Sequence, residues 1–333
     1  MSDGNPVPDS VYFYAPNKVP AILFAAAFGV TGLFHLWQCF YYTSWAPVTG
    51  FLPFFCALLT AGYATRGYGT DHYDDPQVYT ASILLLYAAP PLLQLTNYLI
   101  LTRVFHFVPY CAPMHPSRII VASSAFAAVI ELLTIAGMAY LTDRTAPDKS
   151  LGIGETLTRA SLVLQVMVTG VFLLLAGFFY YKCREGRIRN ARVARPLFVS
   201  CASILLVLGR TIYRTVEHFG VPASREGVDP MSLSPMVRYE WYFYVFDAAF
   251  ILLATVLLNI AHPARYLPEN PRLYLAQDGK TVLKGPGWND SRSKTETIFN
   301  PFAMLKSDGP RQKKFWEQNG YHMRGVRRPG AGR

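Results

Sequence analysis

Charged residues are scarce in this sequence. They make up 16% of its 333 residues, whereas apolar residues make up 52%, and about a quarter of a typical soluble domain is charged. The composition therefore favours lipid as the solvent of much of the chain. The apolar residues also come in blocks of about 20 to 25, which is the length of helix that crosses a hydrocarbon core of ~30 Å.

Cysteines are few, and the common catalytic motifs are absent from the sequence. The five cysteines are odd in number and widely separated, so neither a disulfide framework nor a Cys-x-x-Cys metal site is predicted. The sequence contains no glycine-rich nucleotide loop, no His-Glu-x-x-His and no Gly-x-Ser-x-Gly motif. We therefore expect no metal, no cofactor and no enzymatic activity.

Seven apolar segments are long enough to cross a bilayer. They lie at residues 19–41, 45–65, 77–101, 118–141, 160–181, 196–216 and 239–261. Prolines interrupt the second and third segments, and we expect kinks there, because a membrane helix tolerates proline where neighbouring helices satisfy the freed carbonyls. The prediction is an all-α membrane protein with a seven-helix transmembrane domain over residues 19–262. Acids and prolines precede the first segment, so that segment is expected to act as its own insertion signal.

Lysine and arginine are concentrated on one side of this predicted bundle, in the loop after the fifth span and after His262. Cationic loops are retained in the cytoplasm, which places residues 1–18 outside the cell and residues 263–333 inside. Because the charge of +10 lies mostly in these segments, it indicates topology rather than nucleic-acid binding. The polar composition of the tail predicts disorder, and its basic clusters predict contact with an anionic inner leaflet.

The most informative pattern is a set of polar residues at helical spacing in the last two spans. Three share a face of span six and three share a face of span seven: Arg210, Arg214, Glu217, Glu240, Tyr244 and Asp247. Since a charge at the centre of a membrane helix costs about 2.5–3.5 kcal/mol by insertion scales, these residues should face inward and pair. We expect Arg210 to meet Asp247. Arg214 is expected to meet Glu240.

Together with Glu131 of span four, this set holds two positive and four negative groups. An excess of carboxylate in a polar cavity that opens to lipid suits an amphiphile with a cationic amine headgroup. The alternative is that the ion pairs only lock spans six and seven together. His35 and Gln165 either line the same cavity or serve as hydrogen-bonding contacts between helices, which are common in membrane proteins.

These residues resemble the motifs of a known family, the fungal lipid-translocating exporters of the aminocholesterol-resistance type. The likeness covers the seven spans and is strongest from Arg210 to Glu217, from Glu240 to Asp247 and from Leu258 to Pro263. In span four the family tends to show an aspartate and, seven residues later, a glutamine. Ala127 and Thr134 stand there in this sequence, and Glu131 either replaces the aspartate or is unrelated to it.

The resemblance implies a multi-pass protein of the plasma membrane, or of a vacuolar or other internal membrane. Such a protein moves sphingoid long-chain bases or related amphiphiles, or regulates their distribution, and so contributes to resistance to toxic amphiphiles. A second function stays open from the sequence, namely a seven-helix receptor or regulator that senses lipids and signals through its basic loop and tail. Membrane lipids are the expected partners in both cases.

Overall fold

The computed structural model describes residues 16–72, 75–142, 147–220 and 234–285. Most of the predicted segment 1–18, and all of the tail after residue 285 with its predicted disorder and leaflet contact, lie outside these residues. The described elements are α1 (Lys18–Tyr41), α2 (Ala46–Thr49), α3 (Phe51–Tyr68), α4 (Pro76–Ala88), α5 (Pro90–Phe107), α6 (Pro116–Thr142), α7 (Asp148–Glu185), α8 (Ala191–Phe219), α9 (Pro235–Arg238), α10 (Glu240–Tyr242), a π-helical segment (Phe243–Ala249), α11 (Phe250–Ile260), β1 (Leu273–Leu275) and β2 (Val282–Lys284).

The predicted membrane architecture is confirmed. Within the described residues, six helical segments are long and apolar enough to cross a membrane: Lys18–Tyr41, Pro76–Phe107, Pro116–Thr142, Lys149–Glu185, Ala191–Phe219 and Glu240–Arg265. A seventh is supplied by Thr43–Thr49 and Phe51–Tyr68 if this pair, which is bent by 52°, is counted as one span. The chain is therefore an integral, multi-pass membrane protein.

Both kinks predicted from proline are present as breaks. The second span breaks at Gly50, where a Cβ atom would lie 2.5 Å from the carbonyl oxygen of Ala46, so the bend requires a residue without a side chain. The third span breaks at Ala89, between α4 and α5. Pro90 begins α5 and has no N–H to continue the hydrogen-bond ladder of α4.

The chain divides into two compact units. The first comprises Met1–Asn97, Phe126–Val171 and Ala202–Ile260, and the second comprises Tyr98–Ala125, Phe172–Cys201 and Ala261–Arg333. Helices α5 to α8 contribute residues to both units.

Small residues set the close helix contacts of the first unit. A Cβ at Gly32 of α1 would lie 2.7 Å from Cys56 Cβ of α3. Beside this contact the rings of Phe28 and Tyr63 stack with their centroids 5.6 Å apart. Helices α6 and α7 approach as closely, since a Cβ at Gly154 would lie 2.7 Å from Tyr140 Cβ. Close backbone approach of this kind is how helices associate in lipid, where the hydrophobic effect gives little drive.

The second unit contains an ordered segment that the sequence did not predict. Strands β1 and β2 pair antiparallel after the last span, and Tyr274 and Leu275 are buried. The hydroxyl of Tyr110 donates to Ala276 O at 2.9 Å, and Asn190 Nδ2 donates to Gly279 O at 2.8 Å. The first part of the tail, which the sequence predicted to be largely disordered over residues 263–333, is thus ordered as far as residue 285, because this stretch buries apolar side chains against the helix ends.

Substituting Gly154 tests the α6–α7 contact. Gly154→Ala should lower the unfolding temperature in detergent, because overpacking costs about 1–3 kcal/mol. Gly152→Ala is the matched control two residues earlier in α7, since no described atom lies within 4 Å of a Cβ there and alanine favours helix by up to about 1 kcal/mol. Equal unfolding temperatures for the two variants would contradict the close crossing.

Candidate functional site

Asp247 is the centre of a buried charged cluster in the first unit. Its Oδ1 accepts hydrogen bonds from Arg210 Nε and, at 3.2 Å, from Arg214 Nε. Its Oδ2 accepts from Arg214 Nη2 at 2.9 Å. All three side chains are at most 5% exposed, so the carboxylate shared between two guanidinium groups is held in an environment with little water to screen it.

The backbone around Asp247 is π-helical over Phe243–Ala249. π-Helical turns are rare in proteins, and those that occur are often found at functional sites. The segment also contains Tyr244, and it places Phe243 under two arginines. The Cζ atoms of Arg66 and Arg214 lie 4.4 Å and 5.0 Å from the centroid of that ring. A cation over an aromatic face is attracted by the ring quadrupole, so the segment supplies both a carboxylate and a cation-binding ring.

Arg214 extends the cluster along α8. Its Nη1 donates to Glu217 Oε2 at 2.7 Å, and its Cζ lies 4.7 Å from the ring centroid of Tyr87 on α4. The Tyr87 hydroxyl is in turn 2.6 Å from His218 Nε2. Each nitrogen of the Arg214 guanidinium donates to a carboxylate of the cluster, so none of the three nitrogens lacks a hydrogen-bond partner.

Glu240 pairs with an arginine that the sequence analysis missed. Its Oε1 accepts from Arg66 Nη2 at 2.9 Å, and its Oε2 accepts from the backbone N–H of Asn17 at 2.9 Å. Arg66 Nε also donates to the Tyr244 hydroxyl at 3.3 Å. The expected pair of Arg214 with Glu240 is therefore wrong. Arg66 was overlooked because it falls one residue beyond the predicted end of span two, where arginine usually marks a membrane surface.

The added arginine changes the charge of the site. Three arginines (Arg66, Arg210, Arg214) stand against three acids (Glu217, Glu240, Asp247), so the cluster is formally neutral when all six are ionised. The expected excess of carboxylate is wrong for this cluster. A neutral set of mutually bonded ions also explains how six charges can be accommodated in an apolar bundle, because each buried charge has a partner.

Comparison with known proteins decides the family. The model of the family described as RTA1 like protein matches residues 54–270, a range that contains all six charged residues of the cluster.

The chain belongs to the RTA1-like family.

Several curated fungal proteins are similar to this RTA1-like chain. One from Leptosphaeria maculans, named lipid-translocating exporter-like protein RTA1, is 36% identical over 85% of this chain and 56% of its own length. A protein of the same name from Ajellomyces capsulatus is 27% identical over 73% of this chain and 77% of its own. A probable lipid transporter from Emericella nidulans is 25% identical over 78% and 68%. The chain thus spans little more than half the length of the first of these relatives, and no solved structure matches it.

The other three predicted residues lie outside the bonded cluster of this RTA1-like protein. Gln165 Nε2 on α7 donates to Gln94 Oε1 on α5 at 3.5 Å. His35 Nε2 on α1 lies 3.3 Å from Thr255 O on α11, two turns beyond Asp247. Glu131 is half-buried on α6, and its Oε2 is buried without a hydrogen-bond partner in the part of the chain that the structure describes. Within the same residues, no group of three His, Cys, Asp or Glu side chains is arranged to hold a metal ion.

Two groups of the cluster retain unused bonding capacity. Arg210 Nη2 is buried and has no hydrogen-bond partner among the described residues. The Glu217 side chain is 20% exposed, against 5% for Glu240 and Asp247. Its Oε1 accepts only a long hydrogen bond, of 3.5 Å, from the Tyr213 hydroxyl. A polar ligand that reached this site would therefore meet one free donor and one accessible carboxylate.

A double-mutant cycle tests the pair of Arg66 with Glu240. Arg66→Met and Glu240→Gln should each destabilise the protein by about 3–5 kcal/mol, because each leaves a buried charge without its ion partner. The double variant should lose less than the sum, with a coupling of about 0.5–3 kcal/mol, measured by thermal unfolding in detergent.

The exposed pair of Lys18 with Asp71 is the control for this cycle. These side chains are 51% and 58% exposed, so solvent screens their attraction and the cycle Lys18→Met with Asp71→Asn should show almost no coupling. Additive losses at Arg66 and Glu240 would show that the buried pair is not formed.

Proposed function

We propose that this chain translocates amphiphilic lipids across the membrane, that sphingoid long-chain bases are its substrates, and that it thereby contributes to resistance to toxic amphiphiles. The names of the relatives from Leptosphaeria maculans, Ajellomyces capsulatus and Emericella nidulans describe lipid translocation or lipid transport. Those names support the lipid part of the proposal. The narrower substrate class depends on the chemistry of the charged cluster.

The observation that carries the proposal is a cluster of three arginines and three acids within an apolar helical bundle, in which five side chains are buried and the sixth, Glu217, is 20% exposed. A protein that needed only to join its helices would achieve this with apolar or neutral side chains, since replacing buried ion pairs by hydrophobic residues is often neutral or stabilising. Ionisable residues in membrane helices generally mark a pathway for a substrate, ion or proton. Five elements meet at this one cluster through contacts of the following residues: Asn17 before α1, Arg66 of α3, Tyr87 of α4, Arg214 of α8 and Asp247 of the last span.

A sphingoid base carries an amine and hydroxyl groups on one hydrocarbon chain, and the cluster offers a partner for each. The amine can replace Arg214 at the carboxylate of Glu217, the most exposed acid of the cluster. A hydroxyl oxygen can accept from Arg210 Nη2. Because the cluster is neutral, such a headgroup binds by exchanging ion partners rather than by filling a surplus of negative charge. Exchange of this kind would break the pair of Arg214 and Glu217 within α8 while the substrate is present.

Membrane topology completes the proposal. We place the N-terminal segment outside and the tail after the last span in the cytoplasm of a plasma-membrane protein, because cations near helix ends are retained in the cytoplasm. The cations that decide this lie between Lys182 and Arg195 and in the tail. The exposed end of the cluster at Glu217 then lies toward the outer leaflet.

An efflux assay tests the proposal. Fungal cells that lack their own RTA1-like exporter are loaded with a labelled sphingoid base, and expression of the wild-type chain should increase its efflux. Glu217→Gln should lower that efflux by about tenfold or more, since a hydrogen bond to a charged group contributes ~1.5–3 kcal/mol. This variant retains the Asp247 pairs, so the protein should still fold.

Asp71→Asn is the matched control, because it removes an exposed acid that is not part of the cluster and should leave efflux unchanged. Membrane abundance of each variant is measured in the same cells. Wild-type protein that binds the labelled base but does not change its efflux would support a lipid-sensing receptor and would contradict a transporter. Equal efflux by wild type and Glu217→Gln would remove the carboxylate from the substrate path.

A further inference from the structure

The turn between α7 and α8 has a tight, defined backbone, and none of its residues belongs to the charged cluster. α7 ends at Glu185 and α8 begins at Ala191. The N–H of Gly186 donates to Lys182 O and the N–H of Ile188 to Cys183 O, both at 2.9 Å. Arg187 has a φ of 57°, a left-handed conformation that non-glycine residues seldom adopt. The turn is thus tight and well defined, and an arginine occupies a position that glycine would favour.

Positive charge is concentrated around this turn. The segment from residue 182 to residue 195 contains six cations and one acid, Glu185, which gives +5. Glu185 pairs with Lys182 at 2.8 Å. The remaining five cations are exposed and project around the helix ends: Arg184, Arg187, Arg189, Arg192 and Arg195.

A groove of about 270 Å³ lies between the two helix ends. Arg184 and Arg189 are on its rim, and its apolar lining includes Tyr180, Val193 and Leu197. The adjoining surface is aromatic and apolar. Three of its side chains are exposed, namely Phe178 (48%), Tyr181 (61%) and Phe198 (58%).

This arrangement matches one class of ligand. Both helices are candidate membrane spans, so the short turn between them lies at a membrane surface, where hydrocarbon meets headgroups. Exposed aromatic residues are typical of that level. Arginine binds phosphate through two parallel hydrogen bonds, and basic pockets between membrane helices bind anionic headgroups. We propose that the groove binds an anionic phospholipid of the surrounding bilayer, with its phosphate at Arg184 and Arg189 and an acyl chain along Tyr180 and Leu197.

The chain's own tail does not compete well for this site. Residues 286–333 contain ten lysines and arginines against four acids, so the tail has the same sign of charge as the groove. The bound lipid would lie beside Asn190, which donates to Gly279 in the turn between β1 and β2 at 2.8 Å. Lipid binding should therefore stabilise the turn and the β1–β2 hairpin together.

Thermal unfolding of the purified full chain in a neutral detergent tests the site. Dioctanoyl phosphatidic acid should raise the unfolding temperature of wild type, and dioctanoyl phosphatidylcholine should not. Arg184→Gln combined with Arg189→Gln should weaken the apparent affinity for phosphatidic acid by about tenfold or more, because each surface cation contributes to anionic lipid binding. Both residues are exposed, so the variant should fold.

Lys149→Gln combined with Arg238→Gln removes the same charge elsewhere and should bind phosphatidic acid as wild type does. Ala194→Leu fills the groove while it keeps every cation, and it should also weaken binding. An unchanged affinity in the Arg184, Arg189 variant would overturn the proposal. An equal shift with inorganic phosphate would also overturn it, because the site would then be one for a free anion and not for a lipid.

Discussion

The carboxylate of Asp247, shared between Arg210 and Arg214, is the interaction on which the first unit depends. Its two oxygens accept three hydrogen bonds from two guanidinium groups that are almost completely buried. In a medium with little water, attraction between such charges is strong and the cost of an unpaired ion is high. The positions of α8 and the last span are therefore coupled through one side chain, and any ligand that changes its pairing acts on both helices.

Neutrality of the whole cluster follows from the second pair, Arg66 with Glu240. Glu240 also accepts a hydrogen bond from the backbone N–H of Asn17, just before α1, so the pair joins the start of α1 to α3 and the last span. Together with the pair of Arg214 and Glu217, these interactions bring together six charged side chains with no net charge, five of which are buried. In the proposed mechanism a polar headgroup enters this neutral cluster by exchange of partners, at Glu217 and Arg210 Nη2, the groups with spare bonding capacity.

The second unit differs from the first in the placement of its charges. Its cations stay exposed around a tight turn, and its apolar surface lies in the groove below them. The β1–β2 hairpin is held by hydrogen bonds from Tyr110 and Asn190 to its backbone. A helix surface that is apolar on one side and cationic at its end is suited to lipid contact, whereas the paired ions of the first unit are suited to a polar guest within the bundle.

The sequence by itself determined the membrane class, the breaks near Pro47 and Pro90, and the meeting of Arg210 with Asp247, because hydrophobic length, proline chemistry and helical spacing are local properties. Only the tertiary structure decided that Glu240 pairs with Arg66, that Asp247 lies in a π-helical turn, and that a hairpin follows the last span. The two residues of the Arg66–Glu240 pair are 174 positions apart. Such a contact depends on how helices are arranged around one another, and no periodicity within a single helix records it.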